Sequence, residues 1–138
     1  MNQNRSGKRR RIVAPGVSEP GPGLSSNCFA VGDLIIVTGL TARDGAGRVA
    51  PMGDAYGQAM ALFQRMKALI EAADGNMSDV IKLNCYLTDI RYRDDFVRAR
   101  QQFFNNDFPP CVVLGGAAFT TPEILIEVDA WAIRGSGE

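Results

Sequence analysis

The sequence predicts an α+β fold in which a mixed sheet carries two helices on one face, and three observations predict it. Apolar residues recur at helical spacing in two segments; they alternate or run together in five shorter ones; and the segments follow the order ββαβαββ. The whole fits one domain, since 138 residues can bury roughly two thirds of the surface an unfolded chain exposes.

Residues 1–22 read as a flexible, basic, Pro/Gly-rich arm, because Pro15, Pro20, Pro22 and the glycines between them sustain neither a helix nor a central strand. A single domain over 23–134 and a short tail over 135–138 follow. Cys28–Val31 and Leu34–Thr38 are strands joined by Gly32-Asp33, a two-residue turn with glycine where a positive φ is needed. Gly45, Gly47 and Pro51 make Thr41–Met52 a loop or an irregular edge strand. From Asp54 to Ala73, the residues Ala59, Leu62, Phe63, Met66, Leu69, Ile70 and Ala73 form the stripe of a helix lying on a core, stopped by Gly75. Val80–Thr88 alternates, with Ile81, Leu83, Cys85 and Leu87 on one face and Lys82, Asn84, Tyr86 and Thr88 on a wetter one. A second helix turns Phe96, Val97, Arg100, Phe103 and Phe104 inward and closes at Asn105-Asn106-Asp107, ahead of Pro109 and Pro110. Cys111–Leu114 and Ile124–Ala132 are the last strands, divided by Gly115-Gly116 and a turn at Thr120–Glu123.

Two helices on one face leave the other face bare. In the last strand Leu125, Glu127, Asp129 and Trp131 share one side and Ile126, Val128 and Ala130 the other, so both sides carry apolar residues. A sheet with two apolar faces buries the second against something, and self-association through the sheet is the expectation.

Composition removes several function classes. The chain is 46% hydrophobic and 22% charged, too apolar for disorder, and no apolar run is long enough to span a bilayer. It has no histidine, which excludes Ser-His-Asp and Cys-His catalysis and HExxH metal sites. Cys28, Cys85 and Cys111 form no CxxC pair and read as reduced thiols of a cytoplasmic protein, with no metal and no cofactor expected. Charge is uneven: Arg5, Lys8, Arg9, Arg10 and Arg11 leave ten basic against fifteen acidic residues in 12–138. That basic end could touch an anionic surface, but no aromatic residue interleaves its charges to stack on bases, so nucleic acid is not an expected partner.

Glu127 is the most informative ionisable residue, because a carboxylate set mid-strand between Ile126 and Val128 is costly to bury and, once buried, holds its proton to higher pH. The alternative for Glu127 is an interface salt bridge. Asp129 lies on the same face roughly 6 to 7 Å along the strand, in reach of a cooperating role or a plain rim position. Cys111 enters a strand behind two prolines with no cation or helix N-terminus evident beside it, so it reads as a pocket wall rather than a nucleophile. Tyr86 and Thr38 are cleft donors or ordinary strand residues. Gly115-Gly116 is explained by close packing as well as by an anion nest.

Five segments in this order resemble the reactive intermediate (imine/enamine) deaminases, the YjgF/UK114 or Rid family, formerly called L-PSP endoribonucleases. They are Val31–Gly39, Lys67–Ala73, Asp79–Leu83 running into Tyr86–Asp89, Phe108–Pro110 and Ile126–Ala130. The resemblance implies a chorismate-mutase-like fold and a homotrimer with a small-molecule cleft at each subunit interface. It implies that Glu127 positions the water that attacks an imine carbon, with Thr38 and Gly39 contacting substrate. The family's substrate-carboxylate arginine corresponds to Cys111 here, its tyrosine falls near Ser25, and an asparagine of the second helix falls near Val97. Ser25, Tyr86, Cys111 and Val113 are then expected to shape the pocket, and Arg91, Arg93, Arg98 or Arg100 could supply the missing charge from a neighbour. A non-catalytic ligand-binding or regulatory trimer is the alternative function, and RNA cleavage a weaker one.

Overall fold

The computed structural model describes residues 7–105 and 107–137 and holds a six-stranded sheet. Its strands are β1 (Arg9–Arg11), β2 (Cys28–Val31), β3 (Leu34–Leu40), β4 (Val80–Leu87), β5 (Cys111–Leu114) and β6 (Ile126–Ile133). Helix α1 (Ala55–Ala72) follows β3 and helix α2 (Arg93–Phe103) follows β4. The strand order is β1-β2-β3-β6-β4-β5, with β4 and β5 parallel across α2 and the other neighbours antiparallel, so the sheet is mixed as predicted.

The arm departs from the sequence expectation. Arg9–Arg11 pairs antiparallel with β2, and Ile12, Ala14 and Val17 are buried behind it. An edge strand needs only its backbone, and charged side chains keep such an edge from pairing with another chain, so a run of arginines is tolerated where a central strand would reject it. Arg5 of the basic cluster, Asn106 of the turn after α2 and Glu138 lie outside the described residues.

The β2–β3 turn holds Gly32 at φ 59°, the positive value its two-residue hairpin requires. Asp54 caps α1 by accepting from the Gly57 backbone N–H at 2.8 Å, and the stripe Ala59, Leu62, Phe63, Met66, Leu69 and Ile70 is buried on the sheet. The helix ends one residue earlier than glycine placement suggests: Asp74 takes the left-handed conformation at φ 63°, and the Gly75 N–H closes the turn on the Ile70 carbonyl at 2.9 Å. Gly75 is needed for space, since a Cβ there would stand 2.9 Å from Ile35 Cδ1. Helix α2 buries Phe96 and Ala99, with Val97 at its margin instead of its centre, and Phe63 gathers Phe96, Phe103 and Phe104 at ring separations of 6.0, 5.3 and 5.8 Å. In β4 a bulge between Val80 and Lys82 hands the core position to Val80 and turns Ile81 out to 39% exposure, correcting the expected face.

Ile126, Val128, Ala130 and Ala132 of β6 join the core beneath the helices, while Glu127, Asp129, Trp131 and Ile133 occupy the opposite face. That face is open and carries apolar side chains beside its polar ones, with Trp131 46% and Leu114 55% exposed.

Gln58, fully buried on α1, has no counterpart in the sequence expectation. Its amide donates to the Pro51 and Glu123 carbonyls, both at 2.9 Å, and accepts from the Leu125 N–H at 3.0 Å, fixing the loop that leads into β6. Gln58→Leu orphans all three backbone groups and is expected to cost roughly 3 kcal/mol, a fall of about 10 °C in Tm by calorimetry. A shift under about 2 °C would show that water replaces the amide.

Candidate functional site

The site begins with a defect in β3. Val37 pairs with Ala130 and Leu40 with Val128, so β3 carries one residue more than β6 over this stretch, and both Val37 and Leu40 face the core. The bulge leaves Thr38 and Gly39 unpaired with β6, while the Thr38 N–H continues the pairing with the β2 side by bonding the Asn27 carbonyl at 2.9 Å. Gly39 lies under the Glu127 carboxyl: a Cβ at Gly39 would stand 2.7 Å from Glu127 Cδ and Oε2. Only glycine lets that carboxyl rest where it does.

Glu127 and the bulge border a cavity of about 650 Å³. The arm supplies Ser18–Gly21, Leu24, Ser25 and Asn27, and the bulge supplies Thr38–Thr41. Arg43 and Gly47 come from the next loop, Arg65 from α1, and Ala118, Phe119, Thr120 and Ile124 from the loop before β6. Among the described residues no group donates a hydrogen bond to the Glu127 carboxylate. Burial first, and the Asp129 carboxylate second, push the Glu127 pKa above its ordinary value of 4.5. An unbonded carboxylate with a raised pKa on a cavity wall is a stronger proton acceptor than an ordinary glutamate.

Asp129 is engaged differently. It accepts from Asn84 Nδ2 at 2.8 Å and from the Tyr86 hydroxyl at 3.4 Å. Tyr86 stands directly across from Glu127 on β4 but points its hydroxyl at Asp129 and does not line the cavity.

Of the residues singled out from the sequence, Ser25, Thr38, Gly39 and Glu127 meet at one cavity. Cys111 and Val113 do not. Parallel pairing sets Cys111 beside Leu83 and Val113 beside Cys85, which turns both toward the helix-covered core, away from Glu127. Burial raises the Cys111 thiol pKa although Arg100 beside it acts in the opposite direction, so the thiol stays protonated. The α2-side arginines are also elsewhere in this chain. Arg91 pairs with Asp89 at 2.7 Å, Arg93 with Asp94 at 3.7 Å and Arg98 with Asp95 at 3.1 Å, while Arg100 stacks over Phe96 and Phe108. The cations that do line the cavity, Arg43 and Arg65, had no sequence signal beyond ordinary solvated charge. No group of histidine, cysteine, aspartate and glutamate able to hold a metal ion occurs among the described residues, and no helix among them is long and apolar enough to cross a membrane.

A family model described as Endoribonuclease L-PSP matches residues 22–134. A protein of unknown function from Pseudomonas aeruginosa superposes with a TM-score of 0.82 at 36% identity, covering 93% of this chain and 94% of its own. A 2-iminobutanoate/2-iminopropanoate deaminase of the mite Dermatophagoides farinae is 25% identical over 108 residues, 78% of this chain and 84% of its own. A RutC family protein of Pyrococcus abyssi is 26% identical over 111 residues, 79% of this chain and 85% of its own.

Proposed function

The chain belongs to the endoribonuclease L-PSP family, and from that membership we propose that it is an imine/enamine deaminase-like hydrolase of small molecules. The observation that carries the reading is the Glu127 carboxylate, unbonded, shifted toward protonation and held over Gly39 at the edge of the cavity. The similarity to a 2-iminobutanoate/2-iminopropanoate deaminase supports it. In the proposed reaction Glu127 orients a water and takes its proton as the water attacks the imine carbon. The carboxyl returns that proton to nitrogen to complete the carbinolamine, then takes the hydroxyl proton and passes it to nitrogen as the C–N bond breaks, so that ammonia leaves and the carbonyl product remains. Thr38 and the Gly39 backbone contact the substrate, and Ser25 borders it.

The working protein is proposed to be a cytoplasmic homotrimer. Its subunits cover one another's open face through Trp131, Ile133, Val112 and Leu114, residues that water otherwise meets. Cys111 and Val113 sit on the outermost strand, β5, so any part they play in a cleft is across a subunit boundary.

A second reading, a ligand-binding or regulatory trimer without turnover, is favoured by Ser25, Val97 and Cys111 standing where the resemblance implies polar contacts. One assay separates the two. Imines are generated in situ by amino acid and amine oxidases, and release of ammonia is followed with and without protein whose trimeric state is fixed by sedimentation. Hydrolysis faster than in solvent alone is expected for at least one imine. No acceleration by a folded trimer would reject the hydrolase, and a stable species near 14.9 kDa at micromolar concentration would reject the trimer.

A further inference from the structure

The cavity wall carries both signs of charge, since the Glu127 carboxyl and the Arg43 and Arg65 side chains all border it. The two arginines act on each other: Arg43, after burial, helps lower the Arg65 pKa. Two like charges brought together in a half-buried pocket repel unless an anion lies between them. Among the described residues neither arginine makes an ion pair. The carboxylate that acts on Arg65, Glu19, is itself bonded to Arg11 at 2.8 Å and to Asn27 at 3.0 Å.

Both guanidinium groups are held in place from behind. Arg43 donates to Thr41 Oγ1 at 3.1 Å and to the Gly47 carbonyl at 2.9 Å. Arg65 donates to the Thr41 carbonyl at 2.6 Å and to the Ser18 carbonyl at 3.3 Å. These bonds fix each fork and leave further N–H groups on both for a ligand, the arrangement that suits a planar or tetrahedral oxyanion. Phe119, Ala118 and Ile124 add an apolar stretch of wall that suits a short carbon body.

From this juxtaposition we infer that Arg43 and Arg65 form an anion-binding subsite, which holds the carboxylate or phosphate of a small organic ligand whose reactive carbon then lies toward Glu127. The assignment of that carbon rests on the hydrolase reading above; the anion subsite does not.

The test is isothermal titration calorimetry on the full chain with pyruvate, its uncharged methyl ester and inorganic phosphate as probes. Pyruvate is expected to bind at least tenfold more tightly than the ester, with affinity falling as salt rises. Arg43→Gln, whose amide sits where Nε donates to Thr41 Oγ1, is expected to lower pyruvate affinity at least tenfold and leave the ester unchanged. Glu127→Gln is expected to retain or improve pyruvate binding, because it removes a like charge from the cavity. Binding of phosphate in place of pyruvate, lost in Arg43→Gln, supports the same subsite and names phosphate as its anion. Equal affinity for pyruvate and its ester, no binding of either anion, or unchanged anion affinity in a folded Arg43→Gln variant would overturn the inference. Because the ester comparison uses the unaltered protein, the outcome does not depend on a variant folding. Intact anion binding with no imine turnover would refute the hydrolase reading alone.

Discussion

Glu127→Gln is expected to lower kcat/KM for imine hydrolysis by at least about a hundredfold, the usual contribution of a positioned acid–base group, while leaving the trimer folded. The amide keeps the shape of the side chain and its place over Gly39 but can neither take a proton from water nor return one. Stability gives an independent check with a definite sign. A carboxyl whose folded pKa is raised binds more protons folded than unfolded between its unfolded and folded pKa values, so stability falls as pH climbs through that window. The penalty is fully present above the folded value and absent below the unfolded one, where the group is protonated in both states. Glu127→Gln removes the penalty, so its Tm is expected to exceed the wild-type value at neutral pH and to converge on it in acid. The other ionisable side chains on this face, Asp129, Tyr86 and Lys82, are all kept in the variant. Equal activity of the two proteins on a confirmed substrate would remove Glu127 from the mechanism.

Gly39→Ala is the second large effect. A methyl group at Gly39 would overlap the Glu127 carboxyl at 2.7 Å, and that carboxyl is the end of a flexible side chain, so it swings aside while the backbone stays. The expected result is a loss of about tenfold to a hundredfold in kcat with only a small change in Tm, since a misplacement near 1 Å is enough to spoil a proton transfer. Anion affinity at Arg43 and Arg65 should survive, because Thr41, Gly47 and Ser18 hold their guanidinium groups. A fall in Tm as large as that expected for Gln58→Leu would instead mean that the bulge itself collapses, and wild-type kcat would mean that the carboxyl does not act from where it rests.

What the sequence made legible follows from what single residues can signal. A carboxylate flanked by Ile126 and Val128 is visible as an anomaly from the strand pattern alone, and the structure sets it on the cavity wall. Thr38 and Gly39 were legible through the segment they end, although the bulge that turns them to Glu127 depends on a mismatch with β6 that no local pattern encodes. Cys111 and Val113 lie apart from this cavity within the chain: Cys111–Leu114 is apolar on both faces, and only its parallel register with β4 decides which pair meets the core. Arg43 and Arg65 lie on different elements, and each alone looks like a solvated charge. Their meaning comes from a fold that brings loop and helix together around Thr41. The arm conceals its strand for a related reason: three arginines carry no apolar alternation, and only the backbone of β2 recruits them.

Whether Glu127 makes this cavity a site of imine hydrolysis is read from kcat/KM for 2-iminopropanoate, generated from alanine by an amino acid oxidase, compared between wild-type and Glu127→Gln protein from about pH 4 to about pH 8. The wild-type rate is expected to rise with pH through a pKa above the ordinary glutamate value of 4.5, and the variant to be slower by at least about a hundredfold with that rise gone. A wild-type profile retained in the variant, at undiminished rate, would contradict it.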